Sequence, residues 1–143
     1  MKRREALPSL ESINSSGDDL PAASFQNSVS AEPDLNGRRM RVMSTDTNGV
    51  VSSDTILVFE QTGNVVSARY RGGSIIDGYL IGVRESTSLR FRYVQVDERG
   101  NLDAGVSTGT IELLPDGRLR LIEQFQWLTR PEAGTNIFEE ILS

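Results

Sequence analysis

From Arg38 onward, apolar and polar side chains alternate in short runs, and each run ends at a turn signal. In 89–97, Leu89, Phe91, Tyr93 and Gln95 share one face, while Arg90 and Arg92 take the other. In 118–129, Leu119, Leu121, Glu123, Phe125 and Trp127 oppose Arg118, Arg120, Gln124 and Gln126. The segment 54–62 sets Thr55, Leu57, Phe59 and Gln61 on one side, and 65–71 sets Val66, Ala68 and Tyr70 against Arg69 and Arg71. A period of two is the mark of a strand with one buried face. Eight such segments are legible: 38–46, 54–62, 65–71, 75–84, 89–97, 103–113, 118–129 and 136–142. Turns rich in Gly, Asn, Asp and Pro separate them, at 47–49, 63–64, 72–73, 99–101, 115–117 and 131–134, with a weaker signal at 85–88. An even-numbered antiparallel meander can pair its first strand with its last and so remove both edges. The expected fold is all-β: an eight-stranded antiparallel up-and-down, lipocalin-like barrel over 38–143, with an open sandwich as the alternative.

Face assignment carries further expectations. Gly78 and Gly82 face inward beside Leu80, where missing side chains let the sheet bend or leave space. In the last segment Ile137 and Glu139 are placed inside, with Phe138 and Glu140 outside. Ile56, Val58, Val65, Ile75, Tyr79, Ile81, Val94 and Val96 fall on the outer face. That much exposed apolar surface suggests a homodimer through the outside of the second, fourth and fifth strands.

Residues 1–37 read differently. They hold seven Ser, three of the five Pro and a single aromatic, Phe25. Such a segment buries too little apolar surface to order itself. Leu7, Leu10 and Ile13 nevertheless recur at helical spacing, with Ser9 as a candidate cap. The segment is therefore read as flexible, with a short helix that could dock as a lid.

Composition narrows the chemistry. The 143 residues contain no Cys and no His, which excludes disulfides, thiolate ligands and a Ser-His-Asp relay. No cofactor motif and no metal-ligand spacing is present. A net charge of −5 without a basic stripe speaks against nucleic acid, and no apolar run approaches the roughly 20 residues of a membrane span. The basic start at Lys2 to Arg4 runs into Glu5 and Pro8 rather than an apolar stretch, so the expected location is cytoplasmic.

What remains is the inner face. Phe59, Tyr70, Leu57, Phe125, Trp127 and Ile137 supply apolar walls, and Tyr93, Gln95 and Glu123 add polar groups, with Asp46 near a mouth. An unpaired buried carboxylate costs several kcal/mol, roughly, so Glu123 needs partners, water or a raised pKa. Rings with a few convergent polar groups describe a ligand pocket; a hydrogen-bond network that pins the fold is the plainer reading. Glu123 with Glu139 would imitate a glycosidase pair only if both face inward.

Two resemblances follow. The stretches VSSDTILVFEQTGNVVSARYRGGSIIDGYLIG, LRFRYVQVDERGNLDAG and GRLRLIEQFQW, with IFEEI after them, resemble a family of small bacterial domains whose members are often labelled N-acetylglutamate synthase. Acetyl transfer needs a Gly-rich turn at a helix start to hold a pyrophosphate, and this chain has none. The length, strand count, aromatic interior and N-terminal segment are similar to those of the small β-barrel Diels–Alder cyclases of spirotetramate and spirotetronate pathways. That resemblance implies a cofactor-independent cyclase closing a linear polyketide tetramate or tetronate by intramolecular (4+2) cycloaddition. A small apolar polyene would be the substrate, Leu7, Leu10 and Ile13 the lid, and Tyr93 or Gln95 the donor that polarises a carbonyl, with Glu123 and Asp46 orienting them. A lipocalin-like carrier without turnover, and an interaction barrel with a filled interior, are the other readings.

Overall fold

A computed structural model describes residues 32–142. Eight antiparallel strands form a closed barrel: β1 (Arg39–Thr45), β2 (Ile56–Thr62), β3 (Val65–Gly72), β4 (Ile75–Glu85), β5 (Ser88–Asp97), β6 (Leu102–Leu113), β7 (Leu119–Trp127) and β8 (Ala133–Glu140). Each strand pairs with its neighbour in sequence, and β8 returns to β1. The up-and-down barrel expected from the alternation is the fold observed. The proposed lid residues Leu7, Leu10 and Ile13 lie outside the described residues.

One end of the barrel, which we call the mouth, carries the β1–β2 connection, the β3–β4 and β5–β6 turns and the β7–β8 loop. At the β3–β4 turn Gly72 and Gly73 both have positive φ, 119° and 63°. A Cβ at Gly72 would collide with the Asp54 carbonyl, so glycine there lets the β1–β2 connection pack against the turn.

The opposite end is filled by side chains. Phe59, Leu35, Met40, Leu89, Leu119, Leu121 and Val66 are fully enclosed. Leu35 stands in the stretch that composition assigned to the tail, yet the compact unit containing the barrel starts at Asp34 and Leu35 is 0% exposed. Its amide donates to Gln61 Oε1 at 3.0 Å, the Gly37 amide to the Phe59 carbonyl at 2.9 Å, and the Gln61 amide to Asn36 Oδ1 at 3.1 Å. A single leucine among polar residues carries no periodic signal, which is why alternation missed it.

Two face assignments need correction, and each has an irregularity nearby. The ladder shifts between Ile75 and Asp77, so Ile75 points into the core and Ile76, 58% exposed, points out. Across the β1–β8 seam the register shifts between Val42 and Ser44. In β8 the phase is opposite to that expected: Phe138 is 3% exposed and inside, while Ile137 is half-buried on the outer side. Glu139 also lies outside, bonded to Arg118 and Arg120 at 3.2 and 2.7 Å. Glu140 turns toward the closed end, accepting from the Leu119 amide and from Arg38.

Leu35→Ala should cost about 2–5 kcal/mol of stability, the range for emptying a leucine site in a packed core, measured by urea unfolding. A loss below about 1 kcal/mol would show that the leucine does not close the barrel end.

Candidate functional site

The mouth half of the barrel holds a cavity of about 30 Å³, room for about one or two waters. Its walls are Leu57, Tyr70, Leu80, Phe91, Tyr93, Phe125, Trp127 and Phe138. Its polar groups are Gln95, Glu123 and Asn136, and its cover is Gly49, Val50 and Val51 of the β1–β2 connection. Strand alternation places the walls: β7 contributes Glu123, Phe125 and Trp127, and β5 contributes Phe91, Tyr93 and Gln95.

The rings are packed against one another. Tyr93 and Phe125 meet Trp127 edge-on, with centroids 5.4 and 5.8 Å away, the arrangement that ring quadrupoles favour. Arg130 sits 4.7 Å over the indole and pairs with Asp103, which also accepts from Thr129 Oγ1 at 2.7 Å. Gly78 and Gly105 do not leave empty space: a Cβ at Gly78 would overlap the Tyr70 ring, and one at Gly105 the Tyr93 hydroxyl. The small residues are matched to large tyrosines on the neighbouring strands.

Three polar arrangements meet in this setting. The Ser107 hydroxyl donates to Glu123 Oε2 at 2.5 Å, and Asn136 Nδ2 donates to Glu123 Oε1 at 3.0 Å. Asn136 Oδ1 in turn accepts from Thr45 Oγ1 at 2.6 Å. The Tyr70 hydroxyl donates to Gln95 Oε1 at 2.8 Å. The Tyr93 hydroxyl is buried and has no hydrogen-bond partner among the described residues.

Burial pushes the Glu123 carboxyl above its ordinary value of 4.5, and the bonds from Ser107 and Asn136 only partly offset this. Burial, with the Glu123 carboxylate nearby, likewise raises both tyrosines, which stay protonated donors.

The cover is held at few points. Trp127 Nε1 donates to the Asn48 carbonyl at 2.9 Å, and Asn48 Nδ2 to the Ala133 carbonyl at 3.0 Å. Thr55 Oγ1 anchors the base of the connection to the Gly72 carbonyl at 3.0 Å. Between these anchors Val50 and Val51 pack against the core, and Ser74 Oγ donates to the Val50 carbonyl at 3.4 Å. Asp46, placed near a mouth by the sequence, does not line the cavity: its carboxylate accepts from the Asn48 amide at 3.2 Å and shapes the turn.

Of the other expected site residues, Gln95, Tyr93, Glu123, Tyr70, Leu57, Phe125 and Trp127 come together here. Phe59 belongs to the filled end, and Phe138 occupies the wall position given to Ile137. Glu139 faces away, so no Glu123–Glu139 pair exists. Ser107 was missed because β6 alternates small residues, Asp103, Gly105, Ser107 and Gly109, which carry little hydrophobic signal. Asn136 was missed with the phase of β8. Among the described residues no group of His, Cys, Asp or Glu is placed to hold a metal ion.

A closed barrel with an aromatic, sparsely polar cavity beneath the β1–β2 connection is the architecture of a small-molecule-binding barrel. The model of the avidin-like protein family matches residues 33–141, and the chain belongs to that family. No curated protein and no solved structure matches it.

The raised carboxyl fixes a pH dependence. Folded Glu123 keeps its proton at pH values where the unfolded chain has released it. Its contribution is therefore fully present below about pH 4.5 and is lost as pH rises through the folded value. Glu123→Gln, neutral throughout and still able to bond both partners, should melt progressively higher than the parent as pH rises from 4.5 to 8. A pH-independent difference in melting temperature would contradict this.

Proposed function

We propose that this barrel binds one small, largely apolar molecule bearing a hydrogen-bond acceptor, seated in the mouth half beneath the β1–β2 connection. The observation that carries this is the Tyr93 hydroxyl, a buried donor with no partner in a ring-walled cavity beside Gln95 and Glu123. An unpaired buried hydroxyl costs about 1–3 kcal/mol, which an acceptor on the ligand would recover. The enclosed volume of about 30 Å³ is too small for such a molecule, so entry requires Val50 and Val51 to move aside. Their packing, the Trp127–Asn48 bond and the Ser74–Val50 bond are the main interactions to be broken.

Cyclisation of a linear polyketide would use the same walls as a mould and the same hydroxyl to polarise a carbonyl. It asks for far more room than the closed cavity has, and no feature of the lining favours turnover over binding. Formation of an isomer of unchanged mass from a linear tetramate polyene is what would establish it.

The test is native mass spectrometry and thermal-shift measurement of the full chain against neutral, carbonyl-bearing ring compounds and one tetramate polyene. A hit should bind one per chain and raise the melting temperature. Tyr93→Phe should weaken it about tenfold, the worth of one hydrogen bond, while leaving the unliganded barrel as stable as before or slightly more so. Absence of any stabilising ligand, or hits indifferent to Tyr93→Phe, would contradict the proposal.

A further inference from the structure

Two bonds that tie the β1–β2 connection to the barrel wall run through one residue. The Asn48 carbonyl accepts from Trp127 Nε1 at 2.9 Å, and Asn48 Nδ2 donates to the Ala133 carbonyl at 3.0 Å. Glycine follows, and a Cβ at Gly49 would collide with the Thr45 hydroxyl that bonds Asn136. Packing therefore fixes the glycine, and hydrogen bonding fixes the asparagine. Asparagine is a thermolabile residue, and a following glycine has no side chain to hinder ring closure between its nitrogen and the asparagine amide. Asn48 is also exposed to water.

We propose that Asn48–Gly49 is a self-modification site, at which intramolecular deamidation releases the cover of the cavity irreversibly. The Gly49 nitrogen attacks Cγ of Asn48. The N–Cγ bond forms, the Cγ–Nδ2 bond breaks, and ammonia leaves with the proton that the Gly49 amide gives up. Water then opens the five-membered imide, leaving aspartate where it breaks the new bond and isoaspartate where it breaks the original peptide bond. No electrons are transferred, and water is the sole co-reactant. Both products lack the Nδ2 donor to Ala133. In the aspartate a carboxylate replaces that donor, opposite a carbonyl and close to the Asp46 carboxylate, which bonds the Asn48 amide. In the isoaspartate the main chain is longer by a carbon, and the carbonyl that held Trp127 has become a free carboxylate.

In the closed cover the reaction is held back. The Gly49 amide donates to the Asp46 carbonyl at 2.9 Å and Nδ2 is bonded to Ala133, so both reacting groups are occupied. Attack needs the tip of the connection to lift, a local opening that leaves the barrel intact. The chain's other Asn-Gly pair, Asn36–Gly37, is a built-in comparison. Asn36 Oδ1 accepts from the Gln61 amide at 3.1 Å, and the Gly37 amide donates to the Phe59 carbonyl at 2.9 Å, beside the fully buried Leu35. Freeing that pair means unplugging the filled end.

The test incubates the full chain below its melting temperature and follows, by peptide mapping with mass spectrometry, the exchange of –NH2 for –OH at each asparagine. Asn48 should convert at least about tenfold faster than Asn36. Trp127 emission should shift in step with conversion at Asn48. Asn48→Gln, whose longer side chain closes such a ring poorly, should keep its starting emission over the same time. Asn48→Asp should show a shifted emission and a lowered melting temperature from the outset. Conversion at Asn48 no faster than at Asn36 would overturn the proposal, and so would conversion that leaves both emission and melting temperature unchanged. Neither readout uses a ligand, so the outcome is independent of whether the cavity takes one.

Discussion

Closure of the sheet is the constraint on which the rest depends. Once β8 pairs with β1, no strand edge remains, and every residue from β1 to β8 is committed to one side of a single wall. The seam is uneven. β1 pairs with β8 along most of its length but with β2 only from Arg39 to Arg41. Above Arg41 the two strands part, and the connection between them supplies the missing wall, with Val50 and Val51 as its apolar face. The filled end, by contrast, is shut by residues 34–37 clamped onto β2. One end is therefore closed by dense packing, the other by a connection that is bonded at its ends and, through Ser74 Oγ to the Val50 carbonyl, at its middle.

This division explains how a carboxylate can stand in the core. Glu123 belongs to the mouth half, where Ser107 and Asn136 satisfy its oxygens and Thr45 in turn holds Asn136. The chain thus links β6, β7, β8 and β1 beneath the covering connection. Tyr70 and Gln95 form a second linked pair between β3 and β5. Tyr93 lies near both groups and joins neither, since its hydroxyl is turned into the hollow at Gly105. Satisfied polar pairs specify one arrangement of a core, and the lone donor beside them is the group to which the proposed ligand would bond.

Much of this was legible in the sequence because closure turns alternation directly into inside and outside. β2, β3, β5 and β7 alternate cleanly, and their inward residues, Tyr93, Gln95, Glu123 and Trp127 among them, are where the period of two put them. The failures have local causes. The irregularity at Ile75 to Asp77 shifts the start of β4, and the phase of β8 was misread because Ile137 and Phe138 are both apolar. Leu35 is a tertiary plug with no repeat to announce it. Volume was invisible as well: the same inward residues suit a roomy mould or a nearly filled core, and the packing of the tyrosines over Gly78 and Gly105 decides for the latter.

The chain's single tryptophan stands where the proposed binding cavity meets its cover. Trp127 lines the cavity and bonds the covering connection through Asn48. Titrating a stabilising ligand while recording Trp127 emission is the most direct test that the ligand enters the mouth half by displacing that cover. The account predicts a saturable shift in emission with one ligand per chain, as the indole exchanges the Asn48 carbonyl for ligand or water. A ligand that binds tightly and leaves the emission unchanged would contradict it.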